Sequence, residues 1–391
     1  LFCSNNLWFS MSEQTGKPAH RLIFIDVMRG IAVLLMIETH VLDATLYSAM
    51  KSGWFYHLLN IANGMIAVSF LFCAGAGFWL AISRKLDDYL RFKPSLWQYL
   101  KRLFIILFLG YWLHQPFLSI RKLITINFEQ ALSFFQCDIL HTIVISSLLA
   151  LIIVFIIPKT KVTQWIYLAI PVIIYVLTPF AWASDSVNSL GVFFGPYLAK
   201  PPISKFPLFP WMGHFFMGAG LTALFFNTEN KRKFAWIVLI AGIIIAALLN
   251  ITNDYQFHYG YFVWWDSSPG HAFFRIFIVA AVFMLLYLIE NSYREKRIGS
   301  ILQKAGQTSL FIYAFHLLIV YGSVSNFGLK KNLFSAFGPL EVILVTILIA
   351  FTSYAVAIGW KYLQQKEQGL ARLIGWSFIA LYLGLVIISP W

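Results

Sequence analysis

Residues 21–40 read RLIFIDVMRGIAVLLMIETH, an apolar stretch that also carries Asp26, Arg29, Glu38 and His40. Its length matches the roughly 20 residues that an α-helix needs to cross the hydrocarbon core of a bilayer. An ionisable side chain inside a bilayer is costly, so each one is a candidate for function. The stretch therefore predicts a membrane-spanning helix that carries chemistry.

The rest of the chain continues this apolar pattern. Hydrophobic residues make up 60% of the 391 residues and charged residues only 12%, which leaves too little polar surface for a soluble protein of this length. This composition excludes a soluble enzyme, a disulfide scaffold, a disordered chain and a coiled coil. Apolar runs lie near 22–42, 58–82, 103–118, 138–157, 163–183, 207–226, 234–251, 271–291, 307–326, 339–360 and 372–391.

These runs predict an all-α fold, a polytopic integral membrane bundle of about 11 transmembrane helices. Residues 1–20 are expected to form an N-terminal cytoplasmic tail, and residues 21–391 a single transmembrane domain. No connection between the runs is long enough for a separate soluble domain. Membrane lipid is therefore the first partner that the sequence predicts.

The distribution of charge predicts the orientation. The chain has 29 Lys and Arg against 16 Asp and Glu, a formal net charge of +13. If the N-terminus is cytoplasmic, 20 of the basic residues fall on the cytoplasmic side and 7 in the outer connections. This bias favours a cytoplasmic N-terminus and an outer C-terminus. The basic residues are spread over short loops, which argues against nucleic acid as a partner.

Arg29 and His40 are predicted to share one face of the first helix, because eleven steps of about 100° complete three turns. Asp26 lies one turn before Arg29 and can pair with it. Asp43 lies one turn beyond His40 and can orient its imidazole if the helix continues. The rise of about 16 Å puts Arg29 in the cytoplasmic half and His40 near the outer surface.

This face therefore carries polar side chains at two depths of the membrane. A reaction between a donor on one side and an acceptor on the other requires such an arrangement. A buried Asp–Arg pair that fixes packing, with a histidine at the headgroups, is the alternative. The long outer connection at 252–270 contains Trp264, Trp265 and Asp266. Its aromatic residues can anchor the membrane interface or stack on sugar rings, and both interpretations stay open.

Other polar side chains are predicted at the outer ends of later helices. Asp138 and His141 lie three residues apart at the start of the fourth run, and Arg275 lies near the start of the eighth. His316 falls near mid-membrane in the ninth. Together with His40 they predict an outward-facing polar cavity, although each is also explained as a helix-end or core residue. No histidine spacing typical of a metal site occurs, so no metal is expected.

Four segments resemble a known family, the heparan-alpha-glucosaminide N-acetyltransferase catalytic-domain family and its bacterial members. They are RLIFIDVMRGIAVLLMIETH at 21–40, QCDILHTIVISSLLALI at 136–152, FPLFPWMGHFFMGAGL at 206–221 and SLFIYAFHLLIVYG at 309–322. The resemblance covers about residues 21–325. The Arg-to-His spacing of the first segment is also similar to that of the wider superfamily of transmembrane acyltransferases that modify surface polysaccharides.

The resemblance implies a multi-pass acyltransferase of the plasma (inner) membrane, with acetyl-CoA or another acyl-CoA as donor substrate. It implies a carbohydrate acceptor on the outer side, and His40 as catalytic base with Asp43 as its orienter. Asp26 and Arg29 would shape the donor path, while the basic loop at 84–102 could hold the CoA phosphates. Further substrate-binding candidates on the acceptor side are Asp138, His141, Arg275 and His316.

The sequence departs from the heparan enzyme at one position that matters. That enzyme has Asn where His40 falls, and its catalytic His comes eleven residues later, at the position of Lys51 here. Either His40 takes the role directly, or His57 does after a local gap. This departure argues against carrying over a heparan-like acceptor. The sequence as a whole leaves open the acyl group, the acceptor, and whether transfer is direct or passes through an acyl-enzyme.

Two other functions compete with acyl transfer. A transporter or flippase for a saccharide or a lipid-linked precursor would use the same outer cavity, but two related halves with interrupted helices are not evident. A structural subunit of a larger complex would leave the polar face of the first helix unexplained. A homodimer is a further partner that the sequence leaves open.

Overall fold

The structure is a computed structural model that describes residues 22–323 and 326–389, and the expected tail at 1–20 lies outside them. The described residues form helices and one short hairpin. The helices are α1 (Ile23–Thr45), α2 (Gly53–Leu90), α3 (Pro94–Leu113), α4 (Ile120–Ile124), α5 (Phe128–Phe135), α6 (Ile139–Ile156), α7 (Thr160–Ala183), α8 (Ser186–Phe194), α9 (Leu208–Asn227), α10 (Lys231–Ile251), α11 (Pro269–Leu288), α12 (Glu290–Tyr293), α13 (Arg297–Gln307), α14 (Ser309–Val320), α15 (Leu329–Leu333), α16 (Pro339–Lys366) and α17 (Gln368–Ile388). The hairpin pairs β1 (Gly322–Ser323) with β2 (Asn326–Phe327).

The predicted all-α membrane fold is confirmed. Within the described part of the chain, eight helices are long and apolar enough to cross a membrane: α2, α6, α7, α9, α10, α11, α16 and α17. The three other predicted spans overlap α1, α3 and α14. Helices are expected here because a backbone in lipid must satisfy its hydrogen bonds within its own segment.

Three predicted spans differ clearly from the observed helices. The second span, predicted at 58–82, begins five residues earlier, at Gly53, and extends to Leu90 across a kink at Lys85, whose φ and ψ of −131° and 22° are not helical. The third, predicted at 103–118, is α3, which begins nine residues earlier, at Pro94, and ends five residues earlier, at Leu113.

The ninth span, predicted at 307–326, is α14, which begins at Ser309, directly after Thr308, where φ and ψ are −106° and 15°. It ends at Val320, before the turn at Gly322. The helix α13 lies between the eighth and ninth predicted spans, apart from its last residue, Gln307.

Two helix pairs approach each other through glycine. A Cβ at Gly30 of α1 would lie 2.0 Å from the carbonyl oxygen of Leu302 in α13, and one at Gly306 of α13 would lie 1.8 Å from that of Asp26. A Cβ at Gly75 of α2 would likewise lie 1.9 Å from the carbonyl oxygen of Phe215 in α9. Small residues let membrane helices pack backbone against backbone, so α13 packs closely against the N-terminal half of α1, which is the predicted cytoplasmic half.

Some connections that are predicted to lie at the same end of the bundle contact one another. At the predicted outer end, Leu46 bridges to Phe337 and the backbone of Phe206 donates to Cys137. At the other end, Phe92 stacks on Phe155, with ring centroids 5.7 Å apart. Cys137 is buried, as is Cys73 in the middle of α2. Which end faces the cytoplasm stays a prediction.

Candidate functional site

α14 lies along α1 and meets its polar face at both depths. In the predicted cytoplasmic half, Nη2 of Arg29 donates to Oγ of Ser309 over 2.9 Å. Asp26 is buried and its Oδ2 accepts from the Gln307 amide at 3.4 Å. The partner of Arg29 is thus a hydroxyl of α14 rather than the expected Asp26. This arrangement ties the half-buried guanidinium to the junction between α13 and α14.

The outer end of the same face holds His40, Tyr321 and Asp43. α1 does continue past His40, to Thr45, so Asp43 lies one turn beyond it. The contact between them is indirect: Nδ1 of His40 lies 2.9 Å from the Tyr321 hydroxyl, and that hydroxyl donates to Oδ2 of Asp43 over 3.3 Å. Burial, and then the charge of Asp43, raise the pKa of Tyr321 above its ordinary value.

These contacts favour one tautomer of His40. We assign the single proton of the Tyr321 hydroxyl to the Asp43 carboxylate, which can only accept, so that the hydroxyl accepts from Nδ1 of His40. The proton of a neutral His40 is then on Nδ1, and Nε2 carries the lone pair. Among the described residues Nε2 has no hydrogen-bond partner. His40 therefore presents a free basic nitrogen at the predicted outer depth.

The cluster extends inward through His316, which is fully buried. Its ring centroid lies 5.3 Å from that of His40 and 5.8 Å from that of Tyr313. Nδ1 of His316 donates to the carbonyl of Ile312 over 2.8 Å, which leaves Nε2 as an acceptor as well. The Tyr313 hydroxyl in turn donates to the Asp138 carboxylate at 3.0 and 3.2 Å.

Asp138 and His141 cap the N-terminus of α6. The side chain of Asp138 accepts from the backbone N–H of Ile139, and the Asp138 N–H donates to Nδ1 of His141 over 3.2 Å. His114 lies 3.6 Å from the same carboxylate. Asp138 is 7% exposed and His141 fully buried, so both act from within the cluster and do not line an open cavity.

A separate cavity of about 260 Å³ opens beside this cluster. Its lining residues come from α2, α7, α9, α11 and the connections between them: Asn63, Gly64, Ala67, Trp182, Pro201, Lys205, Phe206, Trp211, Trp265, Asp266 and Arg275. We refer to it as the tryptophan cavity. Arg275 lies in this cavity, apart from the other residues that were predicted to share a polar cavity with it. Lys205 lines the cavity and also approaches the ring of Tyr321, at 5.8 Å.

The structure thus brings most of the predicted site residues together. His40, Asp43, Asp138, His141 and His316 belong to one cluster, which reaches from α1 to α6 through α14. Arg275 lies in the adjoining cavity, and Asp26 and Arg29 lie at the other depth of α1. His57 does not join them, because it is exposed on α2 and has no hydrogen bond or ring contact with any described residue.

Ser309, Tyr313 and His316 lie on one face of the ninth predicted span, and the structure shows that Ser309 contacts Arg29 and that Tyr313 links His316 to Asp138. Two participants were not identified from the sequence. Tyr321 occurs in the fourth segment of family resemblance, but only its contacts reveal that it links His40 to Asp43. Lys205 lies in a connection and looked like one of the scattered outer basic residues. The position of the heparan enzyme's catalytic histidine, Lys51 here, lies nearby, since Nζ of Lys51 donates to the Asp43 carbonyl over 2.7 Å.

Comparison with known proteins adds one finding. The profile of a family described as heparan-alpha-glucosaminide N-acetyltransferase, catalytic, matches residues 21–253. The matched part contains α1 with Arg29 and His40, the start of α6 and the lining of the tryptophan cavity up to Trp211. α14 and its tyrosines lie beyond it. No curated protein matches the chain.

Proposed function

The chain belongs to the heparan-alpha-glucosaminide N-acetyltransferase catalytic-domain family, a family of membrane acetyltransferases, and on this basis we propose a transmembrane acyl transfer. The donor is a cytoplasmic acyl-CoA, with acetyl as the acyl group. The acceptor is a hydroxyl or amine of a carbohydrate on the outer side of the plasma membrane. The observation that supports this most is the free Nε2 of His40, held at the far end of the helix that carries Arg29.

His40 acts as the general base in this proposal. Its Nε2 takes the proton of the acceptor hydroxyl or amine as that group attacks the carbonyl carbon of the thioester. The new carbon–oxygen or carbon–nitrogen bond forms, the carbon–sulfur bond breaks, and CoA leaves as a thiolate that regains a proton. The Tyr321–Asp43 pair holds the ring in the tautomer that this requires and stabilises the imidazolium that forms.

Arg29 has its role at the donor end. The thioester must travel from the cytoplasmic surface to the depth of His40, and Arg29 lies about 16 Å before it on the same face of α1. A guanidinium with Ser309 on one amino group keeps further N–H donors for the carbonyls of a pantetheine arm or for a phosphate. The basic residues of the connection between α2 and α3 would then hold the nucleotide end of CoA.

The experiment reconstitutes the purified protein in vesicles and follows labelled acetyl groups from acetyl-CoA to a sugar acceptor. We compare the His40→Asn and His57→Ala variants. A general base contributes about 10²–10⁴-fold in rate, and Asn cannot take a proton in this pH range. We therefore expect His40→Asn to lose most of the transfer while acetyl-CoA binding is kept, and His57→Ala to retain it.

Two results would contradict this assignment. Full transfer by His40→Asn, with loss in His57→Ala, would move the base to His57. Saccharide movement across the vesicle without any release of CoA would favour a transporter. A burst of CoA release in the absence of acceptor would indicate an acyl-enzyme route. Only on that route can the enzyme take the acyl group from CoA before the acceptor binds.

A further inference from the structure

The tryptophan cavity contains two cations that lack ionic partners. Nη2 of Arg275 donates to the backbone carbonyl of Trp265 over 3.2 Å, and Nε is buried without a hydrogen bond. Lys205 is exposed to the cavity. In the part of the chain that is described, neither side chain forms an ion pair with a carboxylate.

The remaining charge of the cavity does not neutralise these cations. Asp266 is the one carboxylate of its lining, and its charge acts on Arg275 only from beyond ion-pair distance. Two positive groups thus face one negative group. A charge near the membrane without a close counter-ion is costly, so an arrangement of this kind is expected where a ligand supplies the missing charge.

The aromatic lining indicates what carries that charge. Trp182, Trp211 and Trp265 bring three indoles to one cavity, and the guanidinium of Arg275 lies 5.7 Å from the ring of Trp211. Flat apolar faces beside polar groups suit a sugar ring, whose two faces are apolar and whose edge carries hydroxyls. The volume corresponds to roughly nine water molecules, enough for a single acidic sugar unit.

We propose that the tryptophan cavity binds an acidic carbohydrate, whose carboxylate or phosphate lies between Lys205 and Arg275 and whose ring packs on the tryptophans. This inference rests on the proposed function and specifies its acceptor. Lys205 connects the two sites, because it lines the cavity and also approaches the ring of Tyr321. An acceptor anchored by its acid group would thus lie beside the cluster that holds His40.

The test measures binding to the intact protein in nanodiscs, without any donor, by the change in tryptophan fluorescence. The probes are glucuronic acid, glucose 1-phosphate and glucose. We expect each acid to bind at least about tenfold more tightly than glucose, since hydrogen bonds to a charged group are stronger than those to a neutral one. The preference should shrink as salt is raised. The tighter of the two acids distinguishes a uronic acid from a sugar phosphate.

Variants separate the cavity from general surface charge. Arg275→Gln and Lys205→Gln should each weaken binding of the acids about tenfold and that of glucose little. Lys200→Gln is the matched control, because Lys200 lies 3.5 Å over the ring of Tyr261 outside the cavity lining. Should Arg275→Gln fail to fold, Lys205→Gln decides alone.

Equal binding of all three probes, no binding of either acid at millimolar concentration, or an equal effect of Lys200→Gln would each overturn the proposal. None of these outcomes depends on catalysis. A wild-type protein that binds the acids selectively but transfers no acyl group to any sugar would instead contradict the proposed function. The two failures are therefore distinguishable.

Discussion

At the scale of single residues, the hydroxyl of Tyr321 decides which nitrogen of His40 is free. Tyr321→Phe removes the acceptor for Nδ1–H and allows the other tautomer, in which Nε2 carries the proton. We expect kcat for acyl transfer to fall by at least about tenfold, because the contribution of a general base is lost for part of the molecules. The KM for acetyl-CoA should stay unchanged.

Tyr47→Phe serves as the control for this variant, since Tyr47 is exposed at the same end of α1. Steady-state kinetics of both proteins at one pH measure the difference. Tyr321→Phe protein with a wild-type kcat would show that the relay to Asp43 plays no part in orienting the imidazole.

Arg29 offers a second prediction at this scale. Arg29→Lys keeps the charge but loses the planar, two-pronged donor, so we expect affinity for acetyl-CoA to fall about tenfold. Ser309→Ala tests packing separately, since it removes the one described partner of the guanidinium and leaves Arg29 in place. Calorimetric binding of CoA to both variants gives the answer. Weakened folding with unchanged CoA affinity would make Arg29 a packing residue.

The site could be predicted from the sequence only where it lies on one helix. The shared face of Arg29, His40 and Asp43 follows from helical periodicity alone. The contact of His316 with His40 and that of Asp138 with Tyr313 could not be predicted, because they depend on which helices are neighbours. Tyr321 was missed for the same reason, as it lies 281 residues beyond His40.

At the scale of elements, the packing of α13 on α1 depends on Gly306. Gly306→Ala places a methyl group against the Asp26 carbonyl and should destabilise the fold by about 1–3 kcal/mol. Gly359→Ala in α16 is the matched control, because nothing lies within 4 Å of a Cβ there. Alanine is the better helix former, so this control should be neutral or slightly stabilising.

Thermal unfolding in detergent, followed by loss of the monodisperse protein, measures both glycine variants. The two substitutions are chemically identical, so their opposite signs test the contact itself. Equal melting temperatures for Gly306→Ala and the wild type would show that α13 can move away from α1 without cost.

The elements themselves were largely predictable, because apolar runs of bilayer length are a strong signal. The helix α13 was not predicted, because its residues are too few and too polar to form a membrane span. Tertiary contacts lie on both sides of Thr308, which separates α13 from α14: Gly306 meets α1 on one side, and Ser309 meets Arg29 on the other. Hydropathy also cannot distinguish a helix on the surface of the bundle, such as α17, from a helix in its interior, such as α9. Lipid and protein interior are equally apolar, so both helices have apolar sequences.

At the scale of the whole molecule, the distribution of basic residues predicts which end faces the cytoplasm. Epitope tags inserted between Glu295 and Lys296, and between Asp254 and Tyr255, test it in intact cells. Antibody should bind the second tag without permeabilisation and the first only after it. The reverse pattern would invert the orientation of the bundle and the proposed direction of acyl transfer.

The burial of two cysteines allows acyl transfer to be measured by a colour assay for the thiol of released CoA. Cys73 and Cys137 are 1% and 0% exposed, and burial raises the pKa of the Cys137 thiol to about 12. Chromogenic disulfides react with thiolates, so both side chains stay silent at neutral pH. Each acyl group that leaves CoA uncovers one free thiol. In a Cys3→Ser chain, the colour such a reagent develops therefore counts transfer events continuously, against a background that folding itself keeps low.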